Sequence, residues 1–376
     1  MKFLHTADWQ IGMKAAHVGK AGPAVRDARF EAARKLVDEG KRRGAEFILV
    51  AGDTFEDNGV DRVSVRKVVD ILASFGAPVY VIPGNHDPWV PGSVWEHPAW
   101  KESDHVRVLL EPSPVAIPGG VLYPCPVTEK HSTRDPTAWI RADGDKGIRI
   151  GLAHGTVETI HRDEPEYPIP ADAARRTGLD YLALGHWHST VLYEDSSRTV
   201  RMAYSGTPEP TGFGERASGR CLLVEIAGPG EVPRIEEIQT GSLAWIEMSE
   251  EIREPGDLAR VRSRLEAVED PGRALVSLVL RGVLDPEEPG ELEVIREILE
   301  ARFLYGRLQD EALYPAPTDE RWIDAMPAGY LREAARRLLA WSAPGRHEPP
   351  LPQGFSPEAA ARALRIFYSL SREAPR

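Results

Sequence analysis

Five short segments of this chain place metal-ligand side chains directly behind a strand-like apolar run. They are Ala7-Asp8-Trp9-Gln10, Gly52-Asp53, Gly84-Asn85-His86-Asp87, Ala153-His154-Gly155 and Gly185-His186-Trp187-His188. Together they offer Asp, Asn, Gln and His donors and no thiolate, a set that suits Mn, Fe, Zn or similar divalent ions. In open α/β sheets ligands gather at the carboxyl ends of strands, so the five loops should converge. Each segment is weak alone: Gly-Asp is a common turn, and a single His after a strand is more often structural. Residues 186 and 188 say more, because alternate residues of an extended chain point the same way. Five such loops behind buried strands leave chance as the poorer explanation.

The elements that must carry these loops are readable in the same way. Phe3-Leu4 opens a short strand, and Phe30, Ala33, Leu36 and Val37 predict a helix from about Asp27 that stops at Gly44. Phe47 to Val50 is a continuous apolar run, as expected of a strand buried on both faces. A second helix from about Asp61 puts Val65, Val68, Val69, Leu72 and Phe75 on one face. Val79 to Ile82, Ile148 to Leu152, Tyr181 to Leu184 and Leu222 to Ile226 are further strands. This α/β order favours a largely parallel or mixed sheet.

Gly228-Pro229-Gly230 reads as a boundary. Beyond it come a strand at Leu243 to Met248, a helix over about 256–267, a strand at Ala274 to Leu280 and a helix over about 290–302. An amphipathic helix from Ala328 to Trp341, a Pro/Gly-rich stretch from Ser342 to Phe355 and a last helix begun by Ser356-Pro357-Glu358 follow. The expected division is residues 1–230, an acidic α+β capping domain at 236–315, and a helical tail at 316–376.

The order of the ligand segments resembles that of the calcineurin-like metallophosphoesterases. Within them it is most similar to the SbcD-type DNA double-strand-break repair nucleases, through Phe3 to Gly12, Arg29-Phe30, Phe47 to Phe55 and Tyr204 to Glu209. The resemblance covers residues 1 to about 226 well and the next segment weakly. It implies two mixed β-sheets flanked by helices. It also implies two divalent ions, Mn2+ the usual metal, with Mg2+, Fe2+ or Zn2+ admitted by the donors. Carried onto this chain, Asp53 bridges the ions. Asp8, Gln10 and His188 take the first, and Asn85, His154 and His186 the second. His86 is the general acid, oriented by Asp87, and an activated water attacks phosphorus in line. The implied substrate is DNA, the implied partner an SbcC-like coiled-coil ATPase, and the implied assembly a homodimer.

Gln10 departs from the family, which usually has His there. A Gln oxygen is a harder and weaker ligand than imidazole. Three readings stand open: direct coordination, coordination through water, or an impaired first site in a catalytically weakened scaffold. A phosphodiesterase for small nucleotides is the other alternative to a nuclease.

Other residues carry less. His5 reads as a core or supporting histidine. His17, His97, His105, His131, His161 and His347 sit in polar loops and are not expected to be ligands. Trp9 and Trp187 should point into the core. Lys14, Lys20, Arg26 and Arg29 cluster after the first motif and are candidate contacts to a phosphate backbone. The last helix, with Leu364, Phe367 and Leu370 on one side, either docks the ATPase or packs on its own chain.

Composition bounds these readings. The chain has 376 residues and a formal charge of −12, which argues mildly against a basic nucleic-acid-binding module. Most of the acidity lies in residues 227–300, which hold 8 basic and 18 acidic residues. Residues 1–226 hold 27 and 31, a deficit that two divalent ions would cancel. No 18-residue apolar run and no signal-like start is present, and the two cysteines are isolated, so a cytoplasmic protein is expected.

Overall fold

The computed structural model describes residues 1–160, 166–195, 198–317, 319–343, 345 and 350–373. His161 and His347 lie outside them. Two compact units result, Met1–Leu243 and Ala244–Arg376.

The first unit runs β1 (Lys2–Thr6), α1 (Gly22–Arg43), β2 (Phe47–Ala51), α2 (Arg62–Ala73), β3 (Val79–Ile82), β4 (Val106–Val108), β5 (Val115–Ile117), β6 (Gly120–Cys125), β7 (Ile148–His154), α3 (Ala173–Arg176), β8 (Tyr181–Gly185), β9 (Val191–Glu194), β10 (Val200–Tyr204), β11 (Arg220–Glu225) and β12 (Arg234–Gln239). Two six-stranded mixed sheets form, in the orders β12-β11-β1-β2-β3-β4 and β5-β6-β7-β8-β10-β9. The apolar runs are continuous because both faces of these strands are covered. Phe3, Phe47, Leu49 and Tyr80 face Leu122, Ile150, Leu152 and Tyr181 in a core between the sheets. The alternate residues Leu4, Ile48 and Val50 pack outward with Leu36, Val37, Val68 and Leu72 of α1 and α2. On the outer side of the second sheet, Leu182, Leu184 and Tyr204 pack with Ala173, Ala174 and Ile140.

The parallel pairs β1·β2, β2·β3, β6·β7 and β7·β8 bring their carboxyl ends to one edge. The helices between them have ordinary boundaries. Asp61 caps α2 by accepting from Ser64 N at 2.9 Å, and Gly44, at φ 69°, ends α1 behind Lys41, Arg42 and Arg43. α1 begins at Gly22 and not near Asp27, because Pro23 in its first turn is already set for a helix. The short strands β4, β5, β6, β9, β10 and β12 have no clear sequence signature. β4, β5 and β9 span three or four residues, β12 is largely polar, β10 is interrupted by Arg201, and β6 carries Gly120 and Pro124.

The second unit runs β13 (Ala244–Ile252), α4 (Asp257–Glu266), β14 (Ala274–Leu284), α5 (Pro289–Arg302), β15 (Tyr305–Pro315), α6 (Arg321–Asp324), α7 (Tyr330–Ser342) and α8 (Pro357–Glu373). The expected α+β segment is a β-α-β-α-β unit with β13, β14 and β15 all parallel. Val261, Leu265, Ile295 and Leu299 cover Val276, Leu278 and Leu280. The helical tail belongs to the same unit. Arg365 of α8 donates to both oxygens of Asp285, at 2.7 and 2.9 Å, and to Val283 O at 3.0 Å. Trp322 packs edge-on to Tyr368 at 5.0 Å. Leu370 is exposed. Among the described residues no helix is long and apolar enough to cross a membrane.

Candidate metal centre

The loops after β1 and β2 are zipped together by backbone bonds. Asp8 N donates to Gly52 O at 3.1 Å, Gln10 N to Asp53 O at 3.1 Å and Ile11 N to Thr54 O at 3.0 Å. The cost of this close pairing is visible in the backbone. Asp8, Gln10 and Asp53 sit at φ 56°, 49° and 50°, and His186 at φ 103°. Left-handed conformations at non-glycine residues cost about 1–3 kcal/mol each and persist where the surroundings over-determine them. Here they turn four side chains toward one point. Gly52 and Gly84 leave the necessary room: a Cβ on Gly84 would lie 2.1 Å from Asp53 Oδ1, and one on Gly52 2.4 Å from His154 Nδ1.

Asp8, Asp53 and His154 are buried, with ligand atoms all within 4.8 Å of one another. His154 Nδ1 donates to Ala51 O at 2.8 Å, which commits that nitrogen as the one bearing hydrogen. Its Nε2 then faces Asn85 Oδ1 at 2.8 Å and Asp53 Oδ1 at 3.4 Å. Asn85 Oδ1 is also 3.0 Å from His186 Nδ1. The Asn85 amide is held in that orientation by Glu166, whose Oε2 accepts from Asn85 Nδ2 at 3.1 Å. His186 N donates to both Asp8 oxygens, at 3.0 and 3.1 Å. Gln10 Nε2 lies 3.1 Å from Asp53 Oδ2, while Gln10 Oε1 is buried without a hydrogen-bond partner. His188, at the partly exposed side, directs Nδ1 to Glu215 and Thr211.

The electrostatics describe a cluster that draws in positive charge. Burial lifts the Asp8 carboxyl to about 6, against the pull of His154 and His188. Burial also acts to raise Asp53, but His154 and the His86 N–H outweigh it and hold the carboxyl below its usual range. For His154 burial works downward, yet the Asp53 and Asp8 carboxylates raise it to about 9. A proton on His154 Nε2, or a divalent cation in its place, satisfies the same field. The fit to a metal rests on the chemistry of these donors: a buried amide oxygen without a partner, an imidazole whose other nitrogen is committed, and two carboxylates beside it.

Six of the seven expected ligands are joined by these contacts, and His188 lies near enough to Asp8 for their charges to act on each other. The two expected catalytic residues behave differently. His86 N donates to Asp53 Oδ1 at 2.9 Å, and its ring Nδ1 donates to Glu56 O at 3.0 Å, leaving Nε2 at the partly open face. Asp87 does not orient that ring. Its buried carboxylate accepts from Gly84 N at 2.6 Å and Phe55 N at 2.9 Å, tying the two loops together. Burial, with Asp53 adding to it, lifts Asp87 to about 8.

The basic cluster also divides. Lys14, Lys20 and Arg26 are exposed, whereas Arg29 is 2% exposed and cannot serve as a surface phosphate contact. It donates instead to Gln10 O at 3.3 Å, Glu209 O at 3.0 Å and Pro210 O at 3.3 Å. Trp9 lies in the core with its indole N–H on Thr6 Oγ1 at 2.9 Å. His5 is buried, its ring nitrogens 2.9 Å from Tyr181 OH and 3.1 Å from Leu184 O. His131, exposed in its loop, lies 2.5 Å from Glu166 Oε1, one step removed from Asn85. Glu56, Glu166, Thr211 and Glu215 do not stand out in the sequence. They come beside the ligands only by folding, and no spacing in the chain signals it.

Two mixed sheets packed face to face, with carboxylate, amide and imidazole donors at the strand ends, define a metal-dependent hydrolase of phosphoesters. Residues 1–190 match the calcineurin-like phosphoesterase family, and the chain belongs to it. The chain is 25% identical over 342 residues to the uncharacterized metallophosphoesterase YhaO of Bacillus subtilis (strain 168), covering 83% of this chain and 82% of that protein. Among solved structures, TT1561 of Thermus thermophilus is similar at a TM-score of 0.42 and 12% identity, covering 64% of this chain and 98% of that one.

Proposed function

We propose that this protein is a divalent-metal-dependent DNA nuclease of the SbcD type. In this reading it works in the cytoplasm as a homodimer with an SbcC-like coiled-coil ATPase in double-strand-break repair. The chemistry is carried by one observation: Asn85 Oδ1 lies within 3.0 Å of both His154 Nε2 and His186 Nδ1, three donors facing one point. The choice of DNA is supported by the wider resemblance in residues 3–12, 47–55 and 204–209 and by exposed Lys14, Lys20 and Arg26 behind the first ligand loop.

Asp8, Gln10 and His188 would hold one ion, Asn85, His154 and His186 the other, with Asp53 shared between them. Such ions, Mn2+ first among the candidates, would supply Lewis-acid stabilisation of phosphate charge and would make water a better nucleophile. The chain supplies the rest. Asp53 is kept ionised, and the His154 ring is fixed by the Ala51 carbonyl. His86, held through Nδ1 by the Glu56 carbonyl, delivers a proton to the leaving oxygen from Nε2.

The test is purified protein with Mn2+ on linear DNA and on a small phosphodiester, beside His86→Ala. DNA cleavage abolished by the substitution supports the proposal. Turnover of the small diester alone overturns the nuclease reading, and turnover of neither overturns catalysis itself.

A further inference from the structure

One loop, residues 209–215, reaches two of the ligands assigned to the first ion, His188 directly from its end and Gln10 through Arg29 from its start. His188 Nδ1 lies 2.9 Å from Glu215 Oε1 and 3.1 Å from Thr211 Oγ1. The Thr211 hydroxyl donates to Glu215, and Thr211 N donates to Glu215 Oε2 at 2.9 Å. Both neighbours of Nδ1 thus present acceptor oxygens, so Nδ1 carries the hydrogen and Nε2 keeps its lone pair. That is the tautomer a histidine needs to bind a metal through Nε2, and a carboxylate behind the ring both selects it and raises its basicity. The Glu215 side chain is 14% exposed, and its carboxylate is fully engaged with Thr211 and His188.

The start of the same loop reaches Gln10 through an arginine. Buried Arg29 bridges Gln10 O to Glu209 O and Pro210 O. The Glu209 carboxylate is itself pinned by Ser242 N at 2.8 Å and Leu243 N at 3.0 Å. Two ligands of the second ion have supports of their own, Ala51 O for His154 and Glu166 for Asn85, while the third, His186, is tied by its backbone N–H to Asp8. The groups behind the His188 ring and behind His154 and Asn85 thus come from different parts of the chain.

We propose that the 209–215 segment sets the affinity of the first metal ion, with Glu215 as a positioning residue that fixes His188 and Arg29 as the clamp that joins the segment to the Gln10 backbone. The brace compensates for the weak amide ligand at position 10. This inference rests on the two-ion reading of the centre and not on the choice of substrate.

Metal-free full-length protein would be titrated with Mn2+ alone, free ion being counted by its electron paramagnetic resonance signal, for the wild type, Glu215→Ala and Glu215→Gln. Removing the carboxylate should weaken one of two binding steps by about 10–100-fold and leave the other unchanged. Glu215→Gln keeps an oxygen that accepts from Nδ1–H and should restore most of the loss. In an Asn85→Ala background, which weakens the second site, the surviving step should still depend on Glu215. Melting of the metal-free variants should match the wild type. Glu215→Ala with both steps unchanged overturns the proposal. So does an equal loss in both steps with a lowered metal-free melting temperature, which marks general loosening. A wild-type protein that takes up one ion overturns it as well. No DNA enters the assay, so failure of the nuclease reading leaves its outcome legible.

Discussion

The Gln10 amide nitrogen lies 3.1 Å from Asp53 Oδ2, and the amide oxygen beside it is buried with no partner. Turning the amide over places that oxygen next to the carboxylate, where the two together face a cation and not each other. An unpaired buried acceptor costs about 1–3 kcal/mol, so a ligand that takes it up is favoured. Gln10 thus fits direct coordination, as a weaker donor than imidazole. Gln10→His should tighten the weaker of two Mn2+ binding steps and shift preference toward softer ions such as Zn2+. Competition titrations with the two metals check this. Two tight sites that do not change on substitution would sink the idea.

His86 touches Asp53 only through its backbone N–H, and its ring is held by Glu56 O. His86→Ala should therefore leave metal binding nearly intact while lowering kcat by about 10²–10⁴-fold. The loss should shrink for a substrate with a nitrophenolate leaving group, which needs no protonation. Equal losses on good and poor leaving groups would remove His86 from the role of acid.

Gly84 admits no side chain, since a Cβ would meet Asp53 Oδ1 at 2.1 Å and Asp53 N at 2.3 Å. Both partners are part of the paired loops, so neither can move cheaply. Gly84→Ala should destabilise the first unit by about 3 kcal/mol and abolish tight Mn2+ uptake. Urea unfolding and metal titration of the same preparation read the two effects.

Burial holds His5 down to about 3, with the Leu184 carbonyl pulling the other way. The folded protein keeps this ring neutral, while the unfolded chain binds a proton below its usual value near 6.5. The His5 contribution is therefore fully present above pH 6.5 and is lost as pH falls toward 3, by up to about 1.4 kcal/mol per pH unit. His5→Gln should flatten this part of the stability profile between pH 6.5 and 5 in urea titrations. An unchanged slope would show that the ring titrates freely in the native state.

If DNA is the substrate, as proposed, neutralising Lys14, Lys20 and Arg26 together should reduce the salt dependence of its binding, by about 0.9 in slope for each phosphate that is no longer neutralised. Arg29 is excluded from this set by its burial. Affinity measured across a salt series decides it, and an unaltered salt dependence would place the DNA path elsewhere.

The sequence by itself determined the strand–loop–ligand order of the first unit. Buried strands leave unbroken apolar runs, glycines mark the tight turns, and the ligand residues stand next to both. The gathering of Asp8, Gln10, Asp53, Asn85, His154, His186 and His188 at the strand ends was legible for that reason. So were α2 and the β13-α4-β14-α5 order of the second unit. Only the tertiary structure decided the residues that act on the ligands. Glu215 meets His188 across 27 positions, Glu166 meets Asn85 across 81, and Arg29 meets Glu209 across 180. The same is true of the division of labour between His86 and Asp87, where the neighbour in sequence turns away to bind Gly84 and Phe55. Local pattern records what one strand or helix needs from its own residues. The orientation of an imidazole or an amide depends on groups from other strands, and those arrive only when the two sheets close on their shared core.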